Sequence, residues 1–107
     1  MVLRDGRAIA WGYNGAPPGL PHCDHPVDEI CDNATHAEAN AIAFAARQGI
    51  STDGAILLVG VSPCEGCARL IIAAGISEVY FREAYRDVSG VDLLRQASIE
   101  TYHVYDA

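Results

Sequence analysis

Two short runs in this 107-residue chain carry side chains able to hold a metal and move a proton: His36-Ala37-Glu38 and Pro63-Cys64-Glu65-Gly66-Cys67. One imidazole and two thiolates supply three ligands to a zinc ion and leave the fourth tetrahedral position to water. That is the open coordination of a catalytic zinc, whereas a closed structural site takes a fourth protein ligand. Glu38 lies two residues from His36 and need not bind the same ion. Its carboxylate is therefore free to take a proton from a metal-activated water. Taken singly, a Cys-x-x-Cys is often redox-active or structural, and a His-x-Glu occurs by chance in many helices. Their joint appearance, each at the start of an expected helix, favours the catalytic metal.

The elements that must position these groups are legible as punctuation and periodicity. Thr35 to Gly49 is alanine-rich, begins with a capping-type residue and ends on glycine, which predicts a helix with His36 in its first turn. Ala55 to Gly60 is a continuous apolar run between Gly54 and Pro63, expected as a strand buried on both faces. Cys64 to Ala74 follows as a helix from Pro63 to Gly75, with both thiols near its N-terminus, where the amide dipoles favour thiolate. Asp5-Gly6 predicts a hairpin turn before a strand from Arg7 to Tyr13, and Asn14 to Asn33 reads as a long loop. A strand at Ser77–Arg82, a short helix at Val91–Ala97 and a last strand at Ile99–Tyr105 complete the pattern. Helices alternating with strands imply an α/β layered sheet, in which the N-termini of the two ligand helices converge at the carboxyl edge.

Half of the residues are apolar, enough for a single domain over residues 1–107 to bury one core. No apolar stretch approaches the roughly 20 residues of a membrane helix, and the first residues lack a signal-peptide core. A soluble, cytoplasmic protein with no membrane partner is expected. The net charge is −7 and no lysine is present, which disfavours extended nucleic-acid binding but leaves room for a small anion held by one or two arginines.

The order His-x-Glu then Pro-Cys-x-x-Cys matches the signature of zinc deaminases. From Gly12 onward the chain resembles the deoxycytidylate (dCMP) deaminase family within the cytidine deaminase-like superfamily. The resemblance is carried by Gly12-Tyr13-Asn14-Gly15, Pro18-Gly19, His22-Cys23, Thr35 to Ile42, Ser62-Pro63-Cys64 to Cys67-Ala68, Gly75-Ile76 and Tyr85-Arg86-Asp87. It implies a cytidine deaminase-like three-layer αβα sandwich with a mixed central sheet, here without the usual N-terminal helix. It implies Zn2+ on His36, Cys64 and Cys67, with Glu38 as the proton carrier in hydrolytic deamination at C4 of cytosine. Asn14 would bind the deoxyribose hydroxyl, Tyr85 would lie near the base, and the backbone at Ala37 and Ser62 would orient the substrate. A glycine-flanked asparagine also makes an ordinary turn.

Further expectations follow from the same resemblance. His22, Cys23, His25 and Cys31 have ligand chemistry, and some family members carry a second, structural zinc in this region. The spacing fits no fixed zinc template, so a surface loop with a partly buried cysteine is the competing view. Sheet surface left uncovered without the N-terminal helix motivates a homo-oligomer, a dimer or a hexamer, and dCTP and dTTP are possible effectors. Arg4, Arg7, Arg82 and Arg86 are the candidates for holding a nucleotide phosphate. Among rival activities, free cytidine deaminases generally use cysteine where His36 stands, and tRNA or DNA enzymes need a basic, aromatic track. Guanine and riboflavin-type deaminases share the histidine but not the Gly-Tyr-Asn-Gly run. A catalytically inactive zinc or nucleotide-binding module would have no use for Glu38.

Overall fold

The computed structural model describes residues 1–21 and 35–104. The expected second metal cluster, His22, Cys23, His25 and Cys31, lies outside the described residues, as does Tyr105 at the end of the last predicted strand.

The N-terminal hairpin forms as expected, with strand β1 (Val2–Arg4) antiparallel to β2 (Arg7–Ala10). Asp5 and Gly6 both take positive φ, 52° and 76°, as a two-residue turn of the primed type requires. The second strand is shorter than predicted because the chain turns after Ala10 to lay Gly12 against a helix. Then come α1 (Ala37–Arg47), β3 (Ile56–Val61), α2 (Glu65–Ala73), β4 (Glu78–Glu83), α3 (Ser89–Gln96) and β5 (Glu100–His103). The third helix begins two residues earlier than expected. The Asp87 carboxylate accepts the Ser89 N–H at 2.9 Å and supplies the missing start.

The five strands form one mixed sheet in the order β2-β1-β3-β4-β5. β1 is antiparallel to both of its neighbours, while β3, β4 and β5 are parallel. β2 therefore runs parallel to β3, and each of the three helices makes a crossover that moves in the same direction across the sheet. Right-handed crossovers of that kind set all three helices on one face. The core confirms it: Val2, Ala10, Leu57 and Val79 pack with Ala41, Ile42, Ala45, Ala68, Ile71 and Leu94.

The described residues thus build the mixed sheet and one helical layer of the αβα sandwich. Side chains of the opposite parity on the sheet stay accessible, with Leu58 36% and Tyr102 41% exposed. This corrects the expectation that β3 is buried on both faces: an unbroken apolar run signalled it, but only Leu57 and Val59 of that strand pack toward the helices.

Candidate metal and active site

The two ligand runs meet because both helices begin at the same sheet edge. His36 is the residue that precedes α1 and Cys64 the residue that precedes α2, and both have extended backbone. At such positions the side chain projects past the helix end, beside the unpaired N–H groups of the first turn. The Cys64 sulfur accepts the Cys67 N–H at 3.5 Å, so the cap brings the two sulfurs of Cys-x-x-Cys to one side. His36 Nδ1 lies 3.3 Å from Cys67 Sγ and 3.5 Å from Cys64 Sγ. All three ligand atoms fall within 4.8 Å of one another.

Those separations fit zinc. Bonds of about 2.0–2.3 Å at tetrahedral angles give ligand–ligand edges of roughly 3.5 Å. The thiol chemistry departs from the expectation that the helix start favours thiolate, because at Cys67 burial outweighs the amide dipoles. Burial pushes the Cys67 thiol up to about 12, and the Glu38 carboxylate and the Cys64 sulfur add to the rise. A cluster this hostile to negative sulfur on its own is suited to a cation that neutralises it.

A cavity of about 440 Å³ opens beside the cluster, lined by Asn14, His36, Ala37, Glu38, Ser62 and Tyr85 among others. Glu38 and the residues expected to meet the nucleoside, Asn14, Ala37, Ser62 and Tyr85, therefore line one cavity, whereas none of the phosphate candidates Arg4, Arg7, Arg82 and Arg86 lines it. Glu38, in the first turn of α1, is half-buried and is not among the three ligand atoms. Ser62 is buried, and its hydroxyl accepts the Tyr85 N–H at 2.7 Å, which ties the loop after β4 to the cavity wall.

Three positioning residues were not singled out from the sequence. Asn40 directs its side-chain amide to the carbonyls of Tyr13, Thr35 and Gly15, at 2.8, 3.0 and 3.2 Å. It clamps the segments that carry Asn14 and His36 onto α1. Those two segments also pair through Gly15 and Thr35, by backbone bonds of 3.1 and 2.8 Å. A poor helix former in the middle of an alanine-rich helix was the available signal. Gly12 and Gly90 provide close backbone contacts. A Cβ on Gly12 would stand 2.5 Å from the Ala41 nitrogen, and one on Gly90 would stand 2.1 Å from the Pro63 oxygen. Nothing local in the sequence distinguishes them from turn glycines.

Three clustered candidate ligands, two of them bordering a cavity sized for a small molecule that a carboxylate also lines, fit a zinc-dependent hydrolytic site. Residues 1–83 match the family described as the cytidine and deoxycytidylate deaminase zinc-binding region, and the chain belongs to that family. It is 43% identical over 89 residues to ComE operon protein 2 of Bacillus subtilis, covering 79% of this chain and 47% of that protein. It is 32% identical to the deoxycytidylate deaminase of Enterobacteria phage T2, covering 97% of this chain and 79% of the phage protein. The dCMP deaminase of cyanophage S-TIM5, solved in complex with dCMP and dUMP, superposes with a TM-score of 0.85 at 34% identity. That match covers 96% of this chain and 77% of the phage chain.

Proposed function

We propose that this chain catalyses the hydrolytic deamination of dCMP to dUMP and ammonia, a step that feeds thymidylate synthesis. The observation that carries the reading is the cavity in which His36 and Cys64, which cluster with Cys67 as candidate zinc ligands, stand beside Glu38, Asn14 and Tyr85. The likeness to phage enzymes named for this activity supports it.

His36, Cys64 and Cys67 would hold the zinc ion. Bound zinc supplies Lewis acidity that makes a water molecule nucleophilic near neutral pH. Glu38 would accept a proton from the attacking water as its oxygen adds to C4 of the cytosine ring, and deliver a proton to N3. It then passes the second proton to the exocyclic amine, so that the C4–N bond breaks and ammonia leaves. The backbone at Ala37 and Ser62 orients the pyrimidine, Tyr85 covers the base, and Asn14 takes the deoxyribose hydroxyl.

For the phosphate, the placement of the arginines favours Arg86. The Arg4 guanidinium is occupied by the carbonyls of Ser51 and Asp53, at 2.6 and 3.1 Å. Arg7 begins β2 beside the hairpin turn, and Arg82 alternates with Tyr80 on the open sheet face. Arg86 is exposed and directly follows Tyr85, which lines the cavity. Effector control by dCTP or dTTP belongs to the same reading. A second cavity of about 440 Å³, lined by Trp11, Gly12, Tyr13, Phe44 and Arg47, supports it. A ligating thiol pair needs reducing surroundings, which favours a cytoplasmic setting. Among the described residues no helix is long and apolar enough to cross a membrane.

The test is to follow the ultraviolet change as zinc-loaded protein meets dCMP, deoxycytidine or cytidine separately. Turnover of dCMP in preference to both nucleosides is the expected result. Turnover of deoxycytidine in preference to dCMP would retain the deaminase chemistry and reject the nucleotide. Silence on all three with one zinc bound would favour an inactive zinc module or another base.

A further inference from the structure

Cys64 and Cys67 differ in a way that metal binding does not require. Cys64 is half-exposed and borders the cavity, whereas Cys67 is buried and does not line it. Both are free thiols. The Cys64 sulfur already accepts the Cys67 N–H at 3.5 Å, and the two sulfurs lie within 4.8 Å of each other. Helix geometry sets α-carbons three residues apart at about 5 Å. That falls inside the span of roughly 4.4–6.8 Å that a disulfide bridges. Cys64 precedes the first helical residue, with extended backbone at φ −73° and ψ 172°, so its side chain can turn toward Cys67 without breaking a helical hydrogen bond.

We propose that the two thiols are a modification site: a small uncharged disulfide enters the cavity, is reduced there, and leaves Cys64 and Cys67 joined by a bond that no longer holds zinc, an inference that rests on these residues being zinc ligands. The accessible sulfur acts first. Cys64 Sγ attacks one sulfur of the incoming disulfide, whose S–S bond breaks, and one thiol departs with the proton that Cys64 gives up. A mixed disulfide on Cys64 remains. Cys67 Sγ then attacks Cys64 Sγ, the mixed bond breaks, and the second thiol departs with the Cys67 proton. Two electrons pass from the protein to the reagent, which becomes two thiols, and the protein gains one S–S bond. When zinc is bound, the ion leaves instead of the two protons and the departing sulfurs take protons from water, because His36 is the last of the three ligands and cannot hold the ion alone. The net charge of −7 and the Glu38 carboxylate on the cavity wall select an uncharged reagent over an anionic one. Oxidising surroundings thereby empty the metal site, and a thiol reductant with zinc refills it.

The experiment exposes zinc-free and zinc-loaded protein to 2-hydroxyethyl disulfide, blocks the remaining thiols with iodoacetamide and reads tryptic peptides by mass. Cleavage after Arg47 and Arg69 leaves Cys64 and Cys67 together on peptide 48–69, apart from Cys23 and Cys31. The expected product is that peptide, unalkylated and two hydrogens lighter, with one zinc ion delivered to a chromophoric chelator for each bond formed in the loaded protein. Reduction should restore alkylation of both thiols. Cys67→Ser should stop at the mixed disulfide on Cys64, and Cys64→Ser should react at least about tenfold more slowly than the wild type, because burial denies access to Cys67. Should either variant fail to fold, the wild-type peptide decides alone. A wild-type peptide with a lasting adduct on Cys64 and an alkylated Cys67 overturns the proposal. So does a cross-link from peptide 48–69 to the one bearing Cys23 and Cys31, or a folded Cys64→Ser variant that reacts as fast as the wild type. Closure of the bond in a wild type that binds no zinc sustains the disulfide and overturns the zinc reading instead.

Discussion

Gly90 offers the sharpest test of how the fold holds the metal. Its α-carbon packs against the backbone that carries the first thiolate: a Cβ built there would lie 2.1 Å from the Pro63 oxygen and 2.8 Å from both the carbon and the oxygen of Cys64. These are backbone atoms, so no flexible side chain can swing aside. In G90A the two segments must separate by about 1 Å to reach ordinary contact. Overpacking of this kind costs about 1–3 kcal/mol. Because Cys64 is the residue displaced, the ligand atoms lose tetrahedral spacing, which tolerates only about 0.2 Å. The expected result is a fall in melting temperature of at least about 5 °C, with zinc affinity weakened roughly 10- to 100-fold, as when a supporting contact of a metal ligand is lost.

The assays are thermal melting and zinc competition against a chromophoric chelator. Gly66 is the internal control, lying between the two thiols but with nothing within 4 Å of an added Cβ. G66A should hold zinc normally and gain up to about 0.5–1 kcal/mol from its helical position. If G90A binds zinc within twofold of wild type, or if G66A weakens it as much, the contact with Cys64 does not position the metal and the reasoning fails.

Other consequences are as direct. Glu38→Gln should keep one zinc per chain and lower turnover by about 10²–10⁴-fold; loss of zinc would make Glu38 a ligand and discard its role as proton carrier. Arg86→Gln should raise KM for dCMP about tenfold while kcat/KM for deoxycytidine stays put, and equal effects on both substrates would remove Arg86 from the phosphate. In zinc-free protein the Cys67 thiol sits at about 12, above its ordinary 9.0, so its neutral form contributes stability. That contribution is present in full below pH 9 and lost as pH rises toward 12, visible as a falling urea midpoint that Cys67→Ala abolishes. For the same reason zinc uptake near pH 7 must release the Cys67 proton, and affinity should climb by at least tenfold per pH unit in that range. A pH-independent affinity would contradict the raised thiol.

The clamp formed by Asn40 shows how a site in two distant pieces becomes one object. Its amide reaches carbonyls on both sides of the long connection, so the turn carrying Asn14 and the residue preceding His36 are fixed to the same helix. The Ser62 hydroxyl does the same for Tyr85 on the opposite wall. Hydrogen bonds to half-buried carbonyls are costly to leave unmade, which is why such clamps fix loops more firmly than their number suggests.

Residue type and spacing alone determined the metal chemistry. His36, Cys64 and Cys67 announce an open zinc site because ligand identity and helix-start placement are local properties, and caps, glycines and prolines mark those starts within a few residues. The Asp5-Gly6 turn and the alternation of helices with strands were local in the same sense, and with them the α/β class. What only the tertiary structure decided was everything that depends on direction across the sheet. That the run from Ala55 to Gly60 has one open face follows from three crossovers of one hand moving one way, a property of strand order that no window of sequence contains. That Gly12 and Gly90 touch the helices bearing the ligands follows from backbones meeting across 29 residues of sequence at Ala41 and 26 at Cys64. A glycine leaves the same local signature whether it turns a loop or admits a neighbour, and only the folded chain shows which of the two it does.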